Sequence, residues 1–339
     1  MTKEQVLKSL DRPFDTELKQ TLAKVANTIR GLSMDAVQKA DSGHPGLPMG
    51  CAELGAYLFG YFLRHNPKDS KWLGRDRFVL SAGHGCMLLY SCLHLAGFKL
   101  SLEEIKNFRQ LHSQTPGHPE SLHTDGVETT TGPLGQGIGN AVGMALGLKI
   151  LGQKFDTEEF KLFENKVVFL AGDGCIMEGI SHEVSSLAGH LRLDNLIGIY
   201  DANKVCLDGP ISECLSEDTK GRYIAYGWDV MEIDGNNFDE IHRAFTKARQ
   251  NQDKPLMIIA KTVIGKGSPN KAGTSKVHGS PLGEEEVKAS KIALGIPLED
   301  FYIPQQVTSF FAQKLTYDSA NEDEWNASFT NWSRQVPEK

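Results

Sequence analysis

Apolar positions fall into two kinds of block along this chain. Five short, nearly continuous apolar runs occupy residues 77–81, 167–171, 196–200, 230–233 and 256–260. Runs this short, bounded by turn residues, read as strands buried on both faces of a parallel sheet. Between them the spacing changes to that of helices. In 17–39, Leu18, Leu22, Val25, Ile29, Leu32 and Val37 recur on one helical face. Residues 48–63 are apolar on several sides and predict a buried helix. Further helices are expected over 87–95, 102–111, 138–151, 181–193 and 238–250, the second of these opened by Ser101 with Glu104 as a capping box. Residues 112–131 and 261–283 are loops rich in polar and small residues, and the tail from about 284 is helical but more polar. Regular strand–helix alternation predicts one α/β domain over 1–339, a three-layer α/β/α arrangement around a mostly parallel, doubly wound sheet.

The ends of two predicted strands carry the first candidate chemistry. The 167–171 run leads into Gly172-Asp173-Gly174, and the 196–200 run leads into Asp201-Ala202-Asn203. Open α/β sheets bind ligands just past the carboxyl ends of their strands. A carboxylate, an amide oxygen and a nearby carbonyl such as that of Val205 suit a hard cation like Mg²⁺, which keeps positions open for phosphate oxygens.

Four histidines stand beside glycine at turns: His44 in SGHPG, His84 in SAGHG, His118 in TPGHPE and His278 in VHGSP. Loop-tip imidazoles can meet a ligand, donate a hydrogen bond or exchange a proton near neutral pH. The stretch Gly132-Pro133-Leu134-Gly135-Gln136-Gly137 opens a helix of small residues. It does not fit a dinucleotide fingerprint, because Asn140 stands where the third glycine belongs. It faces a cofactor or allows close helix packing.

Composition narrows the classes. Hydrophobic content of 40% and charged content of 23% over 339 residues are ordinary for a globular protein. A net charge of −7, with no basic stripe, argues against nucleic acid or membrane surfaces as partners. No stretch reaches membrane-spanning length. None of the six cysteines forms a C-x-x-C pair, which removes zinc-ribbon and thioredoxin readings and fits a reducing, cytoplasmic setting. His112, His118 and His123 lie close in sequence without the cysteine or acidic pattern of a structural zinc site.

Taken together, SGHPG, FVLSAGHG, FRQLHSQTPGHPE, TTGPLGQG, GDGCIMEGISHE, LIGIYDAN and VHGSPL resemble transketolases, in the family's order and approximate spacing. The resemblance covers about 15–320. It implies the thiamine-diphosphate-binding fold and ketol transfer from a ketose phosphate to an aldose phosphate in the pentose phosphate pathway. Asp173 and Asn203 would bind Mg²⁺ through side chains and Val205 through its carbonyl; Ca²⁺ or Mn²⁺ would fit the same ligands. Gly174 and His84 would lie against the diphosphate of thiamine diphosphate, with Gly132 and Leu134 along the thiamine. His44, His118 and His278 would contact the sugar, His44 and His278 being placed for proton transfer. Arg109 stands at the family spacing before the GHP loop, and Glu178 and Glu183 match acidic residues at a subunit interface. Family members carry a pyrimidine-binding domain and a C-terminal domain, and the resemblance implies that residues 1–339 correspond to neither. The expectation is a diphosphate-binding half completed in a homodimer or by a partner chain. Part of a deoxyxylulose-phosphate synthase and a non-catalytic cofactor-binding module are the alternatives.

Overall fold

The computed structural model describes residues 13–206, 209–250 and 252–338. Its centre is a sheet of β1 (Arg77–Leu80), β2 (Val167–Gly172), β3 (Leu196–Ala202), β6 (Asp229–Asp234) and β7 (Leu256–Lys261), while β4 (Val205–Cys206) and β5 (Gly209–Pro210) form a separate two-stranded hairpin. The sheet order is β1-β2-β3-β7-β6, and every neighbouring pair is parallel. Continuous apolar sequence therefore meant what it implied: Val167 through Ala171, Leu196, Ile197 and Ile199, and Leu256 through Ala260 are buried. Burying one such side chain contributes about 1.5–3 kcal/mol, so these runs anchor the core.

Helices pack in two groups. Gln136–Phe155 lies against Gly179–His190, and Thr16–Ala40 packs on Ala52–Tyr57 and Cys86–Ala96. With the sheet they make the α/β/α layers. The first long helix begins where Asp15 accepts a hydrogen bond from the Leu18 amide at 2.8 Å, and it ends at Asp41, whose φ of 47° is left-handed. That stop releases the chain into the Ser42–Gly46 loop. Residues expected as one helix over 48–63 are two short α-helices, Gly46–Gly50 and Ala52–Tyr57, followed by a π turn, Leu58–Phe62.

One boundary differs clearly. The helix expected over 102–111 stops at Lys106. Apolar spacing continues to Leu111, but Leu111 is 86% exposed and Arg109 has a φ of 60°, which no helix accommodates. Ser101 caps the helix by accepting from the Glu104 amide at 3.3 Å. Glu104 does not complete the capping box; its carboxylate accepts from the Gln114 amide at 2.7 Å and holds the following loop instead.

The helical tail is present as Glu284–Leu294 and Gln305–Gln335. Among the described residues, no helix is long and apolar enough to cross a membrane.

Candidate active site

The carboxyl ends of β2 and β3 carry Asp173 and Asn203, and loops from distant parts of the chain close over them. Gly46 is pressed so tightly on the 264–278 segment that a Cβ there would sit 2.6 Å from the Val277 carbonyl oxygen. The Gly265 amide donates to the Gly46 carbonyl at 2.9 Å. This contact brings the His44 loop onto the His278 loop. After β1, a Cβ on Gly83 would lie 2.8 Å from the Gly132 amide, so only glycine lets the His84 turn meet the 132–137 loop. Arg109 ties two histidine loops together: its Nη1 donates to Ser42 Oγ at 2.7 Å, and its backbone amide donates to the Thr115 carbonyl at 2.9 Å. The Tyr90 hydroxyl lies 2.9 Å from the Pro116 carbonyl oxygen and 3.0 Å from that of His118.

The result is a pocket of about 190 Å³ lined by all the residues expected at the site: His44, His84, His118, Gly132, Leu134, Asp173, Gly174, Asn203, Val205 and His278. Cys175, Cys206 and Ile264 also line it, and nothing in the sequence pattern pointed to them. Larger clefts lie elsewhere, of about 660 and 850 Å³, but they do not reach these strand ends.

Three imidazoles form a triangle. Ring centroids are 5.0 Å apart for His44 and His84, 5.4 Å for His84 and His278, and 5.7 Å for His44 and His278. Burial, then repulsion from His278 and Arg109, pushes His44 down to about 4. Burial and its histidine neighbours push His84 down to about 3. His118 is lowered by burial and by Arg109. At neutral pH these three rings are uncharged, so each offers one N–H donor and one lone pair. Nδ1 of His44 is buried without a hydrogen-bond partner. His123, by contrast, is engaged with the Ser113 carbonyl at 2.8 Å.

The acidic side of the pocket has a different imbalance. One Asp173 oxygen accepts from the Tyr200 hydroxyl; the other is buried with no partner. Burial raises its carboxyl to about 7, partly offset by the Tyr200 bond. A buried carboxylate oxygen without a donor is costly unless a cation meets it. The Asn203 amide is oriented by donating to Asp201 at 2.8 Å, while its oxygen accepts from the Val205 amide at 2.9 Å and keeps a further lone pair. Asp201 is itself held by Thr262. Pro210, which pairs with Val205 in the hairpin, has no N–H to give to the Val205 carbonyl. A Cβ on Gly174 would meet Leu134 Cδ1 at 2.8 Å, so glycine here gives the Leu134 side chain its place beside the carboxylate. The donors are oxygens of three kinds, and one is unpaired: the set fits a small hard cation carrying a phosphate group.

Residues 21–339 match the family profile described as "Transketolase, thiamine diphosphate binding domain". The chain belongs to the transketolase family. It is 51% identical over 317 residues to transketolase 1 of Escherichia coli K12, covering 93% of this chain and 48% of that protein. It is 50% identical over 328 residues to the transketolase of Bacillus subtilis 168, covering 96% and 49%. Among solved structures, a Pichia stipitis transketolase in complex with sedoheptulose 7-phosphate superposes with a TM-score of 0.92 at 43% identity, covering 94% of this chain and 47% of that one. The Campylobacter jejuni transketolase gives 0.89 at 46% identity, covering 94% and 50%. The chain thus spans about half the length of the transketolases it matches.

Two acidic residues of this transketolase domain stand apart from the pocket lining. Glu178 and Glu183 are exposed, at the start of the Gly179–His190 helix.

Proposed function

We propose that this chain binds Mg²⁺ and the diphosphate of thiamine diphosphate between the ends of β2 and β3, and so forms the diphosphate half of a transketolase active site. The unpartnered buried oxygen of Asp173 carries this reading, because the fold pays for it only if a cation arrives. Asp173, Asn203 and the Val205 carbonyl would hold the metal; Ca²⁺ and Mn²⁺ have compatible chemistry. Gly174 and His84 would lie along the diphosphate, Gly132 and Leu134 along the thiamine. When bound, thiamine diphosphate supplies the electron sink for breaking a carbon–carbon bond beside a carbonyl.

The chain's own residues then do the orienting and the proton handling. His44, His118 and His278 present ring nitrogens to the hydroxyls of a sugar. His44, with its bare Nδ1, and His278 take and return protons there. Burial lowers His44 and His118, and the positive charge of Arg109 behind the histidine loops adds to that lowering. The substrates are sugar phosphates: solved relatives hold sedoheptulose 7-phosphate and fructose 6-phosphate. The reaction is two-carbon ketol transfer from a ketose phosphate to an aldose phosphate, in the cytoplasmic pentose phosphate pathway. A pyrimidine-binding domain, from a homodimer partner or a second chain, completes the site, with Glu178 and Glu183 at that interface.

Calorimetric titration of thiamine diphosphate with and without Mg²⁺ tests the reading. Metal-dependent binding lost in Asp173→Ala supports it; undiminished binding by the variant overturns it. Ketol transfer is then assayed by release of glyceraldehyde 3-phosphate from xylulose 5-phosphate, with ribose 5-phosphate as acceptor. Turnover that rises when a chain carrying a pyrimidine-binding domain is added supports the reading.

A further inference from the structure

Lys166 stands just before the apolar run of β2, at the end of the sheet away from the histidine pocket. The strands fix its backbone: its amide donates to Asp76 Oδ1 at 2.8 Å, and the Arg77 amide donates to its carbonyl at 2.9 Å. Its Nζ donates to the Asp194 carbonyl at 3.0 Å. A cleft of about 850 Å³ opens at this point, and Lys149, Lys161, Lys166 and Arg249 bring four cationic side chains to its lining. Lys149 is paired with the Asp194 carboxylate at 2.7 Å, and Arg249 with Asp76. Among the described residues, no carboxylate lies within ion-pair distance of Lys161 or Lys166 Nζ. Of the other acids in the cleft, Asp156 accepts from the Leu162 and Phe163 amides at 2.9 and 3.3 Å, and the Glu164 carboxyl is raised by burial. Lys166 is thus a partly buried amine whose nearest acceptor is a neutral carbonyl.

We propose that Lys166 is an acylation site, at which its amine takes the acyl group of a small acyl phosphate drawn into this cleft. The donor is an anion, and Lys161 supplies a positive charge in the cleft that no carboxylate cancels. Desolvated lysines beside other cations make nucleophiles. Burial, with repulsion from Arg249 and Arg64, outweighs the attraction of Asp194 and Asp76 and pushes the Lys166 ammonium down to about 8. At pH 7.5 about a quarter of such amines are uncharged, against about one in a thousand for an ordinary lysine. The uncharged nitrogen attacks the acyl carbon. The bond from that carbon to the phosphate oxygen breaks, the phosphate leaves with the electron pair, and the surplus proton on nitrogen passes to water. An amide is formed and one acyl phosphate consumed, with no change of oxidation state. The amide keeps one N–H for the Asp194 carbonyl, while the cleft loses one positive charge.

The experiment incubates the full chain with acetyl phosphate and follows the occupancy of each lysine by peptide mass mapping. At pH 7.5, Lys166 should be acetylated about tenfold or more faster than the exposed Lys71 and Lys288. Between pH 7.5 and 9.5 its rate should level off, while the rates at Lys71 and Lys288 rise about tenfold per pH unit. Lys161→Gln should slow acetylation of Lys166 by acetyl phosphate and leave its acetylation by the uncharged ester p-nitrophenyl acetate at the wild-type rate. A Lys166 that stays unlabelled, is labelled no faster than Lys71, or reacts with acetyl phosphate equally fast in Lys161→Gln overturns the proposal. The readout is covalent, lies at the far end of the sheet from Asp173, and does not depend on whether thiamine diphosphate binds.

Discussion

Asp76 and Asp173 are both buried aspartates, placed at opposite ends of the same sheet, and they are treated in opposite ways. Asp76, just before β1, accepts from the Arg64 amide at 3.0 Å, from the Lys166 amide at 2.8 Å and from the Arg249 guanidinium. Although burial works against it, Arg249 and Arg64 hold its carboxyl far below the usual range. Asp173, just after β2, has Tyr200 on one oxygen and nothing on the other, and its carboxyl is pushed up to about 7. One end of the sheet is completed by the protein itself. The other is left short of positive charge, with neutral histidines opposite. A buried charge that the fold satisfies serves stability; one that the fold leaves short points to a ligand.

The comparison predicts that function and stability separate by sheet end. The largest effect is on turnover: in the assembled enzyme, His44→Ala or His278→Ala should lower kcat about 10²–10⁴-fold, as loss of general acid–base catalysis does. Steady-state kinetics decide this, and urea midpoints close to wild type are expected alongside. Next, Asp76→Ala should destabilise the domain by about 3–5 kcal/mol, because Arg64 and Arg249 are left buried without their carboxylate. Equilibrium urea unfolding reads it, and a cost under about 1 kcal/mol would show that the network is incidental.

Asp173→Asn should weaken Mg²⁺-dependent thiamine diphosphate binding at least tenfold, in the range that disrupted metal shells show. It should leave the unfolding free energy within about 1 kcal/mol of wild type, since the neutral amide relieves a desolvated acid. If Asp173→Asn unfolds the domain as Asp76→Ala does, the contrast between the two ends fails. Acid should also act through the site end. His44 and His84 have folded pKa values near 4 and 3, below the usual 6.5, so the unfolded chain binds more protons between these values. Stability therefore falls as pH drops below about 6.5. Between pH 7 and 5 the loss from His84 should be about 1–2 kcal/mol, and His84→Gln should remove it from the pH dependence of the urea midpoint. The smallest effect is a control remote from both ends: Ser101→Ala should cost about 0.5–1 kcal/mol, one helix cap, with no change in ligand binding.

Much of this was legible in the chain because parallel strands are buried on both faces. Val167–Ala171 and Leu256–Ala260 had to be apolar throughout, and the turn residues that bound them set them apart from buried helix. Asp173 and Asn203 were legible as candidates for the same reason, being polar groups just past the ends of such runs. What stayed hidden depends on contacts between distant residues. Periodicity ran the 102–111 helix five residues too far, since the left-handed turn at Arg109 is set by Ser42 and Thr115, not by local spacing. Tyr200 reads as one more strand residue, yet its hydroxyl is the partner of Asp173. Nor could spacing show that His44, His84 and His278, scattered over most of the chain, meet with ring centroids within 6 Å of one another.

The Tyr90 hydroxyl faces two carbonyls, those of Pro116 and His118, but it has one proton to give. The loop before Gly132 is thus fastened to the Cys86–Ala96 helix by a bond with two equivalent destinations. Rotation about a single C–O bond switches between them without moving the backbone. The fastening tolerates small shifts in either carbonyl, as a catch with two notches does. Its loss would release both at once, so a phenylalanine in that place would leave the segment that presents His118 to weaker ties such as the Cys86 thiol on the Gly117 carbonyl at 3.2 Å.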